Sequence, residues 1–185
     1  QIYHSKDKID QVVYTGLNIE DFPFQEQVAE NDQLQLLSVG RPHWIKGYDI
    51  LIKALALLKQ KGISFHYQII GASQDEELLF LIHELDLKDE VDLLPKMPQS
   101  AVFDKMKATD IFLLPSLEEG IANVAVEAMA LGTPVISTNC GGMEELITHN
   151  KGGWIVPTYS VEEIANQILE FSQMDVDEIC KVKEN

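Results

Sequence analysis

Short apolar runs, each too brief for a stable helix, alternate along this chain with amphipathic segments of helix length. The runs are Leu34–Val39, Phe65–Ile70, Val91–Leu94, Ile111–Leu114, 134–137 and 154–156. Several carry little polar alternation, which is the pattern of parallel strands buried on both faces. Between them, Tyr48–Gln60 gathers Ile50, Leu51, Ala54, Leu55, Leu57 and Leu58 on one helical face. Further helices are predicted over 75–85, 100–108, 124–131, 142–148 and 161–171. The last opens with Ser160 and Glu163, spaced as a capping box that pairs otherwise free amides. Strand-helix alternation of this kind predicts an α/β fold, a parallel sheet of about six strands with helices on both faces. Such sheets bind ligands beyond the C-terminal ends of their strands. The loops after Val39, Ile70, Leu94, Leu114 and Ser137 are therefore where chemistry is expected.

A chain of 185 residues is about one domain and can bury a sizeable core without metal or disulfide. Its two cysteines, Cys140 and Cys180, make no disulfide framework, so a reducing cytoplasm is the default expectation. No apolar run approaches the roughly 20 residues needed to span a bilayer. A net charge of −16 argues against nucleic acid, whose binding depends on neutralising phosphates. Residues 41–61 run against that charge, with Arg41, Lys46, Lys53, Lys59 and Lys61 facing one acid, Asp49: a local +4 against −20 elsewhere. A small basic island suits a small anionic ligand. Lys59 and Lys61 are explained by the end of a helix, where cations complement its dipole. Arg41 and Lys46 are not.

Three of the expected loops carry candidate groups. Residues 40–47, GRPHWIKG, place a glycine at each end, where backbone can approach a ligand closely. Arg41 offers a planar donor fork and Lys46 a point charge, a pair suited to phosphate oxygens. The spacing matches neither a Walker loop nor GxGxxG, and ordinary surface charge explains the loop equally well. Residues 115–123, PSLEEGIAN, lead into the next helix, and Glu119 and Glu127 stand with seven residues between them. Glu127 interrupts an apolar stretch, so it is either an unusual buried acid or one directed at ligand hydroxyls. A merely solvated face would explain both acids as well. The third loop, 139–145, opens with Gly141 and Gly142 and reads on its own as a turn with an acidic helix start. The histidines lack metal-ligand spacing, so neither metal nor cofactor is expected. There is no GxSxG nucleophile, and Cys140, in its Gly-rich loop, lacks a histidine partner and reads as non-catalytic.

These loops, in this order, resemble the C-terminal, nucleotide-sugar-binding domain of retaining group 1 glycosyltransferases of GT-B fold. The matching stretches are 38–47 (SVGRPHWIKG), 108–130 (ATDIFLLPSLEEGIANVAVEAMA), 132–137 (GTPVIS), 141–147 (GGMEELI), 153–157 (GWIVP) and 13–24 (VYTGLNIEDFPF). The resemblance implies a Rossmann-like half of a GT-B enzyme, with UDP- or GDP-sugar as donor. It implies that Arg41 and Lys46 bind the donor diphosphate and stabilise it as the sugar leaves, and that Glu119 lies beside that sugar. Glu127 would bond the ribose hydroxyls. Gly40 and the backbone of Gly120, Ile121, Ala122, Asn123 and Val124 would hold phosphate and sugar, and Met97 would meet the nucleobase. Ala122 stands where the family often has Gly or Pro, and Tyr159-Ser160 where it often has Gly-Asp. None of these departures removes a charged group that the implied chemistry needs.

The same resemblance implies a second, N-terminal domain that carries the acceptor site and is not represented here. The expected division is 1–30 as an interdomain lead-in with a first strand at 11–14, 31–172 as the donor-binding domain, and 173–185 as a truncated, weakly patterned tail. The first ten residues, without an initiator Met or a signal layout, fit a chain that begins inside a longer protein. The expected function is donor binding within a glycosyltransferase of glycan synthesis, with the fragment alone inactive. Peripheral membrane association would belong to the full-length protein. A non-catalytic nucleotide-binding or regulatory module is the alternative. A response-regulator-like signalling domain is more remote, since its strand ends would need an acidic pocket rather than Arg, Lys and Gly.

Overall fold

A computed structural model describes residues 16–25, 33–148 and 151–183. The expected strand at 11–14 lies outside them. Strands β1 (Leu34–Val39), β2 (Phe65–Ile70), β3 (Val91–Leu94), β4 (Ile111–Leu114), β5 (Val135–Thr138) and β6 (Gly153–Val156) form one sheet, ordered β3-β2-β1-β4-β5-β6. Every pairing is parallel. Helices α1 (Tyr48–Gln60), α2 (Glu76–Glu84), α3 (Gln99–Lys107), α4 (Asn123–Ala130), α5 (Val161–Ser172) and α6 (Val176–Lys183) make the crossovers and the C-terminal cover.

Successive strand residues point to opposite faces, and the core divides accordingly. Leu36, Ile111 and Leu113 pack with α1, α2, α5 and α6 on one face. Leu37, Phe112 and Leu114 pack with α3 and α4 on the other, joined by Phe22 from the N-terminal lead-in. Phe22 meets Phe103 of α3 at a ring separation of 5.1 Å, and Gln25 donates to the Leu131 carbonyl at 3.0 Å. The expected α1 face is buried except Leu57, which is partly covered, and Ile52 is buried as well. That wider burial follows from contacts with α2 and α5 on either side.

Two expectations need correction. Residues 142–148 do not form a helix but a 3-10 turn over Gly142–Glu145. Thr148 bridges to Lys151, and that return of the chain leaves no room for further helical turns. The tail, expected to be weakly patterned, forms a helix: α6 docks Ile179 and Val182 into the first core, and the Gly152 amide donates to the Val182 carbonyl at 2.9 Å. Its start carries a reciprocal capping box. Asp175 Oδ1 accepts from the Glu178 amide at 2.8 Å, and Glu178 Oε2 accepts from the Asp175 amide at 3.0 Å.

Candidate functional site

β1 and β4 are adjacent in the sheet, although β2 and β3 intervene in sequence. Their crossovers leave in opposite directions, so a crevice opens between the loops that follow them. An open cavity of about 620 Å³ lies there, lined by Val39, Gly40, Arg41, Pro42, His43, Ile45, Lys46, Glu119, Ala122, Asn123 and Val124.

The loop after β1 is shaped by a 3-10 turn, Trp44–Lys46. His43 caps it, its Nδ1 accepting from the Ile45 amide at 3.3 Å. Gly47 ends the turn and begins α1: its amide donates to Trp44 O at 3.1 Å, and its carbonyl accepts from the Ile50 and Leu51 amides. Only glycine suits this position. Its φ is +63°, and a Cβ there would lie 2.1 Å from the Pro115 carbonyl oxygen. Leu117 donates to the Ile45 carbonyl at 2.7 Å, which ties the β1 loop to the β4 loop.

The β4 loop is tied in turn to the loop after β5. Glu119 donates its amide to Cys140 O at 2.8 Å and accepts from the Gly142 amide at 3.3 Å. Backbone packs so closely here that a Cβ at Gly142 would lie 2.8 Å from the Gly120 carbonyl carbon. The Glu119 backbone is thus held from two sides. Its carboxylate reaches Lys46, with Oε2 at 2.7 Å from Nζ and side-chain exposures of 23% and 26%. Beneath the pair, Tyr48 is buried, and that burial, reinforced by the Glu119 charge, pushes its phenol pKa well above the ordinary value. It also blocks any side chain at Gly40, whose Cβ would fall 2.8 Å from the Tyr48 hydroxyl. Deeper still, Tyr67 donates to Ser38 Oγ at 2.8 Å and Ser38 to the Leu113 carbonyl at 2.6 Å, pinning β2, β1 and β4 together.

α4 begins at this cavity without a side-chain cap, since its N-cap residue is Ala122. The Ala125 and Val126 amides donate to the Ala122 carbonyl at 2.9 and 3.2 Å, which leaves the Asn123 and Val124 amides without a partner inside the helix, and the positive dipole end meets the cavity. Arg41, which is exposed, lines the same cavity.

Of the sequence candidates, Gly40, Arg41, Lys46, Glu119, Ala122, Asn123 and Val124 line the cavity together. Gly120 and Ile121 belong to the same loop but do not line it. Glu127 lies further along α4, where Gln99 of α3 donates to its Oε1 at 3.3 Å. Burial raises the Glu127 pKa, and the Gln99 bond works against that rise. Met97 packs its side chain on the α3–α4 core, two residues before Gln99. Sequence reasoning missed Gln99 and His43. Nothing in the spacing signals Gln99, because its place beside Glu127 comes from α3 packing on α4; His43 carried a signal as a polar residue just before a short turn. Among the described residues no cluster of His, Cys, Asp or Glu is placed to hold a metal ion, and no helix is long and apolar enough to cross a membrane.

A doubly wound parallel sheet whose switch point holds two cations, a carboxylate and an uncapped helix start is a Rossmann-like domain with an anion-directed site. Its family follows from comparison: the model for group 1 glycosyl transferases matches residues 19–183, and the chain belongs to that family. Over 90% of its length it is 34% identical to the putative colanic acid biosynthesis glycosyltransferase WcaL of Escherichia coli K12. It is 38% identical, also over 90% of its length, to the amylovoran biosynthesis glycosyltransferase AmsK of Erwinia amylovora. Anabaena Alr3699/HepE, solved in complex with UDP and glucose, superimposes with a TM-score of 0.80 at 26% identity, covering 95% of this chain and 50% of that one. The neighbouring structures are GT-B glycosyltransferases. The chain spans 43% of WcaL and 42% of AmsK.

Proposed function

We propose that this chain is the donor-binding domain of a retaining glycosyltransferase, one that moves a sugar from a nucleoside diphosphate to an acceptor hydroxyl in glycan synthesis. The observation that carries the reading is the convergence of Arg41, Lys46, Glu119 and the uncapped start of α4 on one cavity at the β1/β4 switch point. Arg41, Lys46 and the α4 amides supply countercharge to the diphosphate, which strengthens as the glycosyl bond breaks and negative charge moves onto the leaving group. Glu119 accepts from hydroxyls of the donor sugar, and Glu127 from those of the ribose. The base lies toward the loop that contains Met97.

In this reading the acceptor comes from an N-terminal domain of the same protein, so the chain binds donor but does not turn it over. UDP and GDP are the candidate carriers; the UDP in the Alr3699/HepE structure supports the first. The assembled enzyme works in the cytoplasm, where nucleotide sugars are the available donors.

Calorimetric titration with UDP, GDP and ADP tests the reading. One nucleoside diphosphate binds, and Arg41→Ala and Glu127→Ala each weaken it about tenfold, or ~1.4 kcal/mol. Undiminished binding by Arg41→Ala would place the anion site elsewhere.

A further inference from the structure

The ion pair inside the cavity has a cost for any anion that enters: Lys46 is already partnered by a carboxylate at 2.7 Å. Glu119 is not a loose neighbour, because its backbone is bonded to Cys140 and Gly142 on either side. A Cβ at Gly141 would lie 2.4 Å from the Glu119 carbonyl oxygen, so that strand of backbone has little freedom to withdraw. The negative charge therefore stays beside the anion-binding lysine. Two other acids of the neighbouring elements have partners of their own: Asp49 pairs with Lys53 on the exposed side of α1, and Glu127 accepts from Gln99.

A donor and its spent carrier differ at the atom this pair would meet. In a nucleotide sugar the terminal phosphate is esterified and carries one negative charge. Once the sugar has left, the same phosphate has a second ionisable oxygen, with a pKa near 6 as for other phosphate monoesters. Building on the donor-site reading, we propose that Glu119 sets the preference of this cavity for the esterified donor over the free diphosphate. Its carboxylate accepts from sugar hydroxyls when the ester is bound. It repels the extra charge, and competes for Lys46, when only the diphosphate remains. The residue that holds the sugar thus also speeds departure of the product. In a partly desolvated cleft such a like-charge contact is poorly screened by salt.

Glu119→Gln keeps the shape and removes the charge. Calorimetry compares UDP, GDP and ADP with their glucose esters, on the 185-residue chain and on the variant. The variant binds the free diphosphate roughly 3- to 10-fold more tightly than the parent, and the ester no more tightly. Equal or weaker binding of the diphosphate overturns the proposal, as does equal tightening of diphosphate and ester. A parent that binds none of the six ligands sinks the donor-site reading itself and this proposal with it. A thermal melt reports folding of the variant; where Glu119→Gln does not fold, Glu119→Ala gives the same sign on the diphosphate.

Discussion

Glu127 sits in the middle of α4 with its carboxyl partly buried and accepting from the Gln99 amide. Burial raises its proton affinity above the ordinary glutamate value near 4.3. A carboxyl whose folded pKa is raised favours the fold at low pH, and that contribution is lost as pH rises through the folded value. At neutral pH the charge therefore works against stability. Glu127→Gln is expected to unfold at higher denaturant than the parent at pH 7, by roughly a few tenths of a kcal/mol after solvent screening, with the gap closing as pH falls through the raised folded value towards about 4.3. A variant less stable than the parent at pH 7 would refute this. Under the donor reading the same change weakens nucleotide binding, so stability and affinity move in opposite directions, as they do where a site holds a group ready for its ligand. The sequence made both glutamates visible through their spacing, and Arg41 and Lys46 through their contrast with an acidic chain. It could not show that Lys46 and Glu119 would pair, since 73 positions separate them and only the sheet order brings them together.

Among the elements, those with strong periodicity were legible and those set by their surroundings were not. All six strands and α1 to α5 fall within a residue or two of expectation, because an apolar run or an amphipathic face of that length has one good solution. The 3-10 turn at Gly142–Glu145 reads like a helix start, and only the approach of Gly142 to the Gly120 backbone and the return at Thr148 decide otherwise. α6 has two buried apolar residues, too few for periodicity to reveal. Its capping box, Asp175 with Glu178, was the signal to use. Two backbone predictions belong at this scale. Gly47→Ala meets both a left-handed φ and the Pro115 carbonyl, and should cost at least about 2 kcal/mol in a urea titration. Tyr159 is exposed and holds φ at +59°, a conformation that strains any β-carbon. Tyr159→Gly should raise stability by up to about 1 kcal/mol, and a lower unfolding midpoint would contradict that account.

On the scale of the whole molecule, the candidate site and the C-terminal helix occupy opposite edges of one sheet. All strands are parallel, so the loops that gather at the β1/β4 crevice lie at the C-terminal ends, while the N-terminal ends face the other way. α6 fastens to that far edge: Val182 accepts from Gly152, immediately before β6, and Ile179 enters the core that Trp154 and Phe171 share. Helix and site are therefore separated by the length of the strands, and the two should respond independently to mutation. Ile179 is 8% exposed. Ile179→Ala removes most of a buried side chain and should lower unfolding stability by about 2–4 kcal/mol. Under the donor reading, the affinity of the fraction that remains folded for a nucleoside diphosphate should be unchanged, as read by calorimetry well below the melting temperature. Arg41→Ala should show the converse, with weakened binding and an unfolding midpoint within experimental scatter, because an exposed arginine on a cavity wall supports no packing. If Ile179→Ala also weakened binding, the far edge would be coupled to the crevice through the sheet, and the division between a supporting edge and a reactive edge would not hold.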